Sequence, residues 1–441
     1  MYMTSTPKPG DRVKVHTKEE TIEGIFLPRS EMLDKRSGKE TLVLKLDNGY
    51  NIGIFKERIE GMDVVERHKP SEKKSFAKKK GKNLPKVLII SCGGTISSKV
   101  DYLTGGVYSD YDAGDFVEMM PSIEKMADID TKTLMNKMSE DFLPEDWKTM
   151  AREVYNNYDD YDGFVITQGT DTLHYSSASL SFFLRNIGKP VVFTAAQRSI
   201  DRGSSDAFMN LECAVRTAAY ADLSGVFVCM HATVNDDFCY IHKGTKVRKM
   251  HSLRRDAFRT INGTPVASVH YSGEDAGKIE MMSSAERRKR EKHPVKISDG
   301  FEEKIAIINV YPGMDPGIID YHLGKGCKGF VISGTALGHV SLEGKKSLKK
   351  QLLSLKKEGI PVVMTTQSIY GRVDPLVYSP LRFLSIEANV IFAEDMLTEV
   401  AYVKLGWLLS KKKKYEEIRE DFMENFAGEF NLISRENEFL N

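Results

Sequence analysis

From Leu84 onward the chain alternates short, almost unbroken apolar runs with longer amphipathic stretches, and few folds accommodate that texture. The runs occupy residues 87–90, 164–166, 191–193, 226–230, 305–310, 330–332 and 362–364. A strand with one wet face alternates apolar and polar residues, so a run without a polar face predicts a strand covered on both sides. Between the runs, residues 144–158, 172–187, 204–221 and 342–357 have the spacing of amphipathic helices. Strand and helix in repeated alternation predict an α/β fold, a mostly parallel sheet with right-handed crossovers.

The first 67 residues read differently. Short alternating segments at 12–15, 22–27, 41–46 and 50–55, with an Asp47-Asn48-Gly49 turn before the last, predict a small all-β domain of SH3-like barrel type over 1–67. Residues 66–83 then carry eight Lys or Arg against two acids, interrupted by Pro70 and Gly81. That composition predicts a basic linker over 68–83, a solvated hinge or a contact for a phosphate backbone. Charged residues accumulate again between Glu274 and Asp299, so the α/β part is expected to divide into a larger domain over 84–285 and a smaller α/β domain over 300–441. Within the latter, Pro312, Gly313 and Pro316 mark a turn into a helix, with Asp315 as its expected cap.

Composition excludes several function classes. Lys and Arg number 63 against 62 Asp and Glu, which rules out a strongly basic, DNA-coating surface. The five cysteines (Cys92, Cys213, Cys229, Cys239 and Cys327) form no C-x-x-C pair and no spacing of a zinc site, so no metal is expected and a reduced, cytoplasmic compartment is. The first twenty residues lack the apolar stretch of a signal peptide, and nothing approaches the roughly 18 apolar residues of a membrane span. A soluble protein with no membrane partner is expected.

Ligand sites in parallel sheets lie beyond the carboxyl ends of the strands. After 87–90 comes Ser91-Cys92-Gly93-Gly94-Thr95-Ile96, and after 164–166 comes Thr167-Gln168-Gly169-Thr170-Asp171-Thr172. Neither has the G-x-G-x-x-G spacing of a dinucleotide site or the G-K-[ST] ending of a phosphate loop. Glycine lets the backbone turn sharply and point N–H groups at a developing oxyanion. Threonine is a weak nucleophile until a base takes its proton, and Asp171 places a carboxylate beside one of the two threonines. A lysine brought near that aspartate could serve as base or as a fixed charge, and Lys243, Lys246 and Lys249 are all available in one stretch.

Together, Gly93-Gly94-Thr95-Ile96 and Gln168-Gly169-Thr170-Asp171-Thr172 resemble the two threonine motifs of the bacterial-type L-asparaginase family, and the resemblance extends over about 86–409. Further blocks resemble one branch of it, the D subunits of archaeal glutamyl-tRNA(Gln) amidotransferases. They are Gln197-Arg198-Ser199, Ser204-Ser205-Asp206, Arg248-Lys249-Met250-His251, Arg254-Arg255-Asp256-Ala257-Phe258, and Glu394-Asp395-Met396-Leu397 with Glu399-Val400-Ala401. The resemblance implies a larger asparaginase-like domain with a parallel sheet and a smaller asparaginase-like C-terminal domain. It also implies hydrolysis of glutamine, with ammonia passed to an E subunit that uses ATP, with Mg, to convert Glu-tRNA(Gln) to Gln-tRNA(Gln). No cofactor is implied in this chain. A homodimer inside a heterotetramer with two E subunits is implied, with tRNA handled mainly by the partner.

On the same footing, Thr95 matches the acyl-forming nucleophile, Thr170 and Asp171 the second threonine and its partner, and Lys249 the lysine that precedes a closing phenylalanine, here Phe258. Ser139 and Glu140 match the positions that hold the substrate's α-carboxylate and ammonium; Gly94 and Gly169 are carried over with them. Residues 101–115, containing Gly105, Gly106 and Gly114, fit a lid over Thr95, with Tyr108 on it. The chain departs from the D-subunit pattern at Ala195 and Ala336, where glycine is usual, so a required positive φ at either would strain it. Two other readings compete: a free-standing L-asparaginase or glutaminase, and an RNA-associated subunit that keeps the hydrolase fold only as structure. The amino-terminal module argues against the first and the intact threonines against the second.

Overall fold

The computed structural model describes residues 7–27, 40–47, 50–67, 84–94, 98–100, 107–109, 120–200, 202–289, 294–411 and 414–439. The basic linker at 68–83 and the turn residues Asn48 and Gly49 lie outside them. Near the amino terminus, strands Arg12–Thr17 (β1), Thr21–Leu27 (β2), Thr41–Lys45 (β3), Asn51–Phe55 (β4) and Ile59–Glu66 (β5) form one antiparallel sheet ordered β4-β3-β2-β1-β5. Val13 and Val15 are buried on either side of the exposed Lys14, and they pack with Leu42, Leu44, Ile54 and Met62. Two register shifts between β1 and β5 curl the sheet over this core.

The larger sheet is built from Lys86–Ser91 (β6), Asp128–Thr133 (β7), Gly163–Thr167 (β8), Pro190–Thr194 (β9), Gly225–His231 (β10) and Phe238–Lys243 (β11). A separate hairpin, Val247–Lys249 (β12) with Phe258–Thr260 (β13), follows before the sheet resumes with Ala267–His270 (β14) and Ile279–Met281 (β15). The sheet order is β15-β14-β11-β10-β9-β8-β6-β7. From β7 to β10 all pairs are parallel, while β11, β14 and β15 extend the edge antiparallel, so the sheet is mixed. Helices Pro144–Asn156 (α1) and Leu173–Phe183 (α2) cover one face and Ala207–Tyr220 (α3) the other. The unbroken apolar runs follow from this: Phe164 and Ile166 face Trp147 and Phe182, while Val165 between them faces Leu211 and Ala214.

The C-terminal sheet, Ile305–Asn309 (β16), Gly329–Gly334 (β17), Val362–Thr366 (β18) and Ile391–Phe392 (β19), is parallel and runs in sequence order. Gly317–Gly324 (α4) and Lys349–Lys357 (α5) belong to it, as do Thr398–Leu409 (α6) and Tyr415–Phe422 (α7). Before α4, the Asp315 carboxylate accepts the Gly317 N–H at 3.2 Å, and Gly313 turns at φ 82°. The helix expected over 342–357 begins only at Lys349.

Helix α6 is apolar nearly all round and sits between the two sheets. Its Trp407 stacks on Phe182 at 5.6 Å between ring centroids, and one hydrophobic cluster runs from Ile90 and Phe193 to Val331 and Val363. The Lys404 ammonium, fully buried on α6, donates to Glu429 Oε1 at 2.6 Å and to the Glu424 carbonyl at 2.6 Å, among the rings of Phe422, Phe426 and Phe430.

The charged stretch before residue 300 is docked to the larger domain. Arg288 donates to the carbonyls of Ala218 and Ala221 at the end of α3, and Lys296–Ile297 pairs with Leu184–Arg185. That pairing ends α2 at Phe183, short of the 187 that periodicity suggests. Among the described residues, no helix is long and apolar enough to cross a membrane, and all five cysteines are free and buried.

Candidate active site

The carboxyl ends of β6 and β8 lie side by side because the strands are paired in parallel, Ser91 opposite Thr167. The Cys92 N–H continues the ladder to the Thr167 carbonyl at 2.8 Å. Beyond it the two loops touch backbone to backbone. Gly94 has φ 84°, and a Cβ on it would stand 2.1 Å from the Gly169 nitrogen. A Cβ on Gly169 would in turn meet Ser139 Cβ and Oγ at 2.8 Å. These glycines are steric requirements of the loop contact. Thr95, the next residue, lies outside the described residues, as does most of 101–115; of that segment, Val107–Ser109 is paired with Ser98–Val100.

Thr170 is buried at the mouth of β8, and Lys249 reaches it from β12. The Lys249 ammonium donates to Thr170 Oγ1 at 2.8 Å and to Asp171 Oδ1 at 2.7 Å, and the hydroxyl and carboxylate are 3.4 Å apart. The Lys249 side chain is 10% exposed, whereas that of Asp171 is 62% exposed and faces solvent. Lys249 is directly paired with Phe258 across the hairpin, which explains the fixed interval between them. The other two lysines go elsewhere. Lys246 is buried against Asp395 at 2.8 Å, and Lys243 lies under Gly428.

Ser139 and Glu140 share a short helical turn, Ser139–Asp141. Buried Ser139 accepts the Asp171 N–H on Oγ at 3.2 Å, and its carbonyl accepts the Thr172 hydroxyl at 2.6 Å, so it braces the threonine loop. Glu140 is exposed beside it. The structure therefore brings Gly94, Gly169, Thr170, Asp171, Lys249 and Ser139 together, with Glu140 at the rim.

Periodicity and motif spacing give no hint of a second layer behind this group. Arg248 Nη1 donates to both carboxylate oxygens of Glu399, at 2.9 and 2.7 Å, from β12 to the first turn of α6. His174, one turn after Thr170, places Nε2 3.7 Å from Glu399 Oε1. Burial, then the positive charges of Arg248 and Lys249, push His174 down to about 3, so it stays neutral. Burial holds the Glu399 carboxyl above its usual range, and the Arg248 charge offsets only part of that. A cavity of about 290 Å³ adjoins the pair, with Asn309, Ser333 and Gln367 from the strand ends of the C-terminal sheet on its far wall.

The two alanine departures differ. Ala195 is fully buried and its carbonyl accepts Asn210 Nδ2 at 2.9 Å, with ordinary φ; Ala336 sits at φ 46°, in the left-handed region. Nearby, the Asp206 carboxylate accepts the N–H groups of Gln197 and Arg198 and orders the loop after β9. Among the described residues, no group of three or more His, Cys, Asp or Glu could hold a metal ion.

Three family models match the chain: the GatD N-terminal domain over residues 7–65, the asparaginase N-terminal domain over 86–285, and the glutaminase/asparaginase C-terminal domain over 304–422. The D subunit of glutamyl-tRNA(Gln) amidotransferase from Pyrococcus abyssi is 46% identical over 440 residues, covering 98% of this chain and 97% of that protein. This chain belongs to the amidotransferase D-subunit family. Another member of that family, from Archaeoglobus fulgidus, is 43% identical over 95% of this chain and 94% of its own length. The D-subunit fold is in turn shared with solved asparaginases. The thermostable L-asparaginase from Thermococcus kodakarensis superposes with a TM-score of 0.70 at 33% identity, covering 78% of this chain and 99% of its own. L-asparaginase I from Vibrio cholerae gives 0.68 at 27%, covering 79% and 100%.

Proposed function

We propose that this chain is the glutaminase subunit of a tRNA-dependent amidotransferase. It hydrolyses glutamine and supplies ammonia to a partner subunit that converts Glu-tRNA(Gln) to Gln-tRNA(Gln) with ATP. The observation that carries the chemistry is the contact of Lys249 with both Thr170 Oγ1 and Asp171 Oδ1. The amino-terminal domain and the full-length likeness to D subunits support the choice of pathway over a free-standing asparaginase.

In this reading the Thr95 hydroxyl attacks the side-chain carbonyl of glutamine. Its proton passes by way of Thr170 and Lys249 to the departing nitrogen, leaving an acyl-threonine ester. Water then cleaves the ester with the same groups acting in reverse, giving glutamate and free Thr95. Lys249 Nζ lies 2.8 Å from Thr170 Oγ1, within reach of that proton transfer, and the Asp171 carboxylate 2.7 Å away stabilises positive charge on the lysine. The exposed face of Asp171, with Ser139 and Glu140, receives the α-ammonium and α-carboxylate, while the Gly94 and Gly169 turns carry N–H groups toward the oxyanion. No cofactor acts in this chain; ATP with Mg belongs to the partner, an E-type subunit that holds most of the tRNA. The assembly is a cytoplasmic heterotetramer around a homodimer of this chain.

The test is amidation of Glu-tRNA(Gln) by the reconstituted complex with two nitrogen donors. Thr95→Ala and Lys249→Ala are expected to abolish glutamine-dependent amidation and spare the ammonia-dependent reaction. Equal loss with both donors contradicts the division of labour, and strong asparagine hydrolysis by the isolated chain favours the free-standing enzyme.

A further inference from the structure

The hairpin that carries Lys249 packs in the shared core but lies outside the backbone ladder of the larger sheet. Its strands β12 and β13 are paired only with each other, over three residues each. A backbone ladder sets where a side chain leaves the strand but not where its tip ends, and Lys249 must meet two oxygens at once. Side chains alternate along a strand, so residues 247 and 249 share one face and 246 and 248 the other. Val247 is buried in the shared core, and Lys249 on the same face meets Thr170. On the opposite face, Lys246 and Arg248 both end on carboxylates of the C-terminal domain, Asp395 at 2.8 Å and Glu399 at 2.7 Å. Those two acids lie four residues apart, around the start of α6. Asp395 is itself fixed by the N–H and side-chain amide of Asn431 at 2.8 and 2.9 Å.

We propose that Arg248 and Glu399 are a positioning pair through which the C-terminal domain holds Lys249 against Thr170 and Asp171, with Lys246 and Asp395 anchoring the root of the same strand. The proposal rests on reading Lys249 as the proton-transferring group. Neither Arg248 nor Glu399 touches Thr170 or Asp171. They act through the backbone of one residue, and α6 serves as the fixed post. The two residues are 151 apart in sequence, so the pair also makes the reacting geometry depend on the C-terminal domain being docked.

Steady-state glutamine hydrolysis by the full-length chain assembled with its partner subunit tests this, with Arg248→Met, Arg248→Lys, Glu399→Gln and the Arg248→Met/Glu399→Gln double variant. A side chain displaced by about 1 Å loses up to about 100-fold, so kcat is expected to fall at least about 10-fold in Arg248→Met and Glu399→Gln, with KM for glutamine within about two-fold. Because the two residues act as a unit, the double variant is expected to be no slower than the slower single, and Arg248→Lys to recover part of the loss. Wild-type kcat with only a lowered melting temperature overturns the proposal in favour of a structural ion pair. A raised KM at unchanged kcat overturns it in favour of direct substrate contact. Lys249→Ala, run alongside, separates the two levels. If it keeps glutaminase activity, the assignment of Lys249 itself is wrong; if it is inactive while the Arg248 and Glu399 variants match wild type, only the positioning role is lost.

Discussion

Gly94→Ala probes the contact between the two threonine loops, and the structure sets what it should do. The new methyl group would lie 2.1 Å from the Gly169 nitrogen, 2.4 Å from its Cα and 2.6 Å from the Gln168 carbonyl carbon, all backbone atoms. No side chain can swing aside, so the loops must part by more than 1 Å to restore ordinary contact. The left-handed φ of 84° adds roughly 1–2 kcal/mol of conformational strain for a residue with a Cβ. Separation by that distance parts the two threonine motifs at their backbone contact, and about 100-fold or more in kcat is the expected loss. Gly344→Ala is the matched control. It has φ 71° but nothing within 4 Å of its Cβ position, so it should show a comparable strain in denaturant unfolding and no change in kcat. A Gly94→Ala enzyme within about three-fold of wild type would refute the reasoning, because the threonine loops would then tolerate separation.

Three further outcomes are expected. Ala336→Gly should raise stability by about 0.5–1 kcal/mol in urea titration, since glycine relieves a φ of 46° and loses part of the gain to its freer unfolded chain. His242 is fully buried, bonded through Nδ1 to Thr260, and burial pushes it down to about 3. The unfolded state therefore takes the proton first, and stability falls as pH drops from about 6.5 toward 3. His242→Gln should lose about 1.5 kcal/mol less than wild type between pH 6.5 and 5, and an unchanged slope would count against a neutral buried imidazole. Lys404→Met leaves the Glu429 carboxylate buried without its cation and should cost about 3–5 kcal/mol, whereas Lys404→Met/Glu429→Gln should recover much of it; equal losses would mean that the charge pair is not what the site depends on.

Strands buried on both faces were legible in the chain because β6, β8, β9 and β17 need apolar residues throughout. The edge strand β7, Asp-Ile-Asp-Thr-Lys-Thr, was not, because one side of it is open to water and its composition is that of a loop. Strands β11, β14 and β15 escaped notice for a related reason: they extend the sheet antiparallel after a buried parallel core, and β15, three residues long, is too short to stand out. The early end of α2 could not be read locally, since the strand that competes for Leu184 and Arg185 is more than a hundred residues away. Among the site residues, Thr170 and Asp171 followed from a glycine-rich loop after an apolar run. Choosing Lys249 over Lys246 needed the interval to Phe258, which the hairpin register explains. Arg248 and Glu399 appeared only as part of a family pattern, for no local spacing links a residue of a short hairpin to the start of a helix 151 positions later.

The charge-rich stretch before residue 300 marks a boundary in the chain but not in the thermodynamics. Because Phe182, Trp407, Val331 and Val363 belong to one continuous apolar cluster, neither α/β unit can open its own interior without exposing the other's. The two should melt as a single cooperative unit, seen as one calorimetric transition, and neither half expressed alone should be soluble. Access to Thr170 cannot then come from the domains swinging apart, and a substrate must reach it past the loops at the rim.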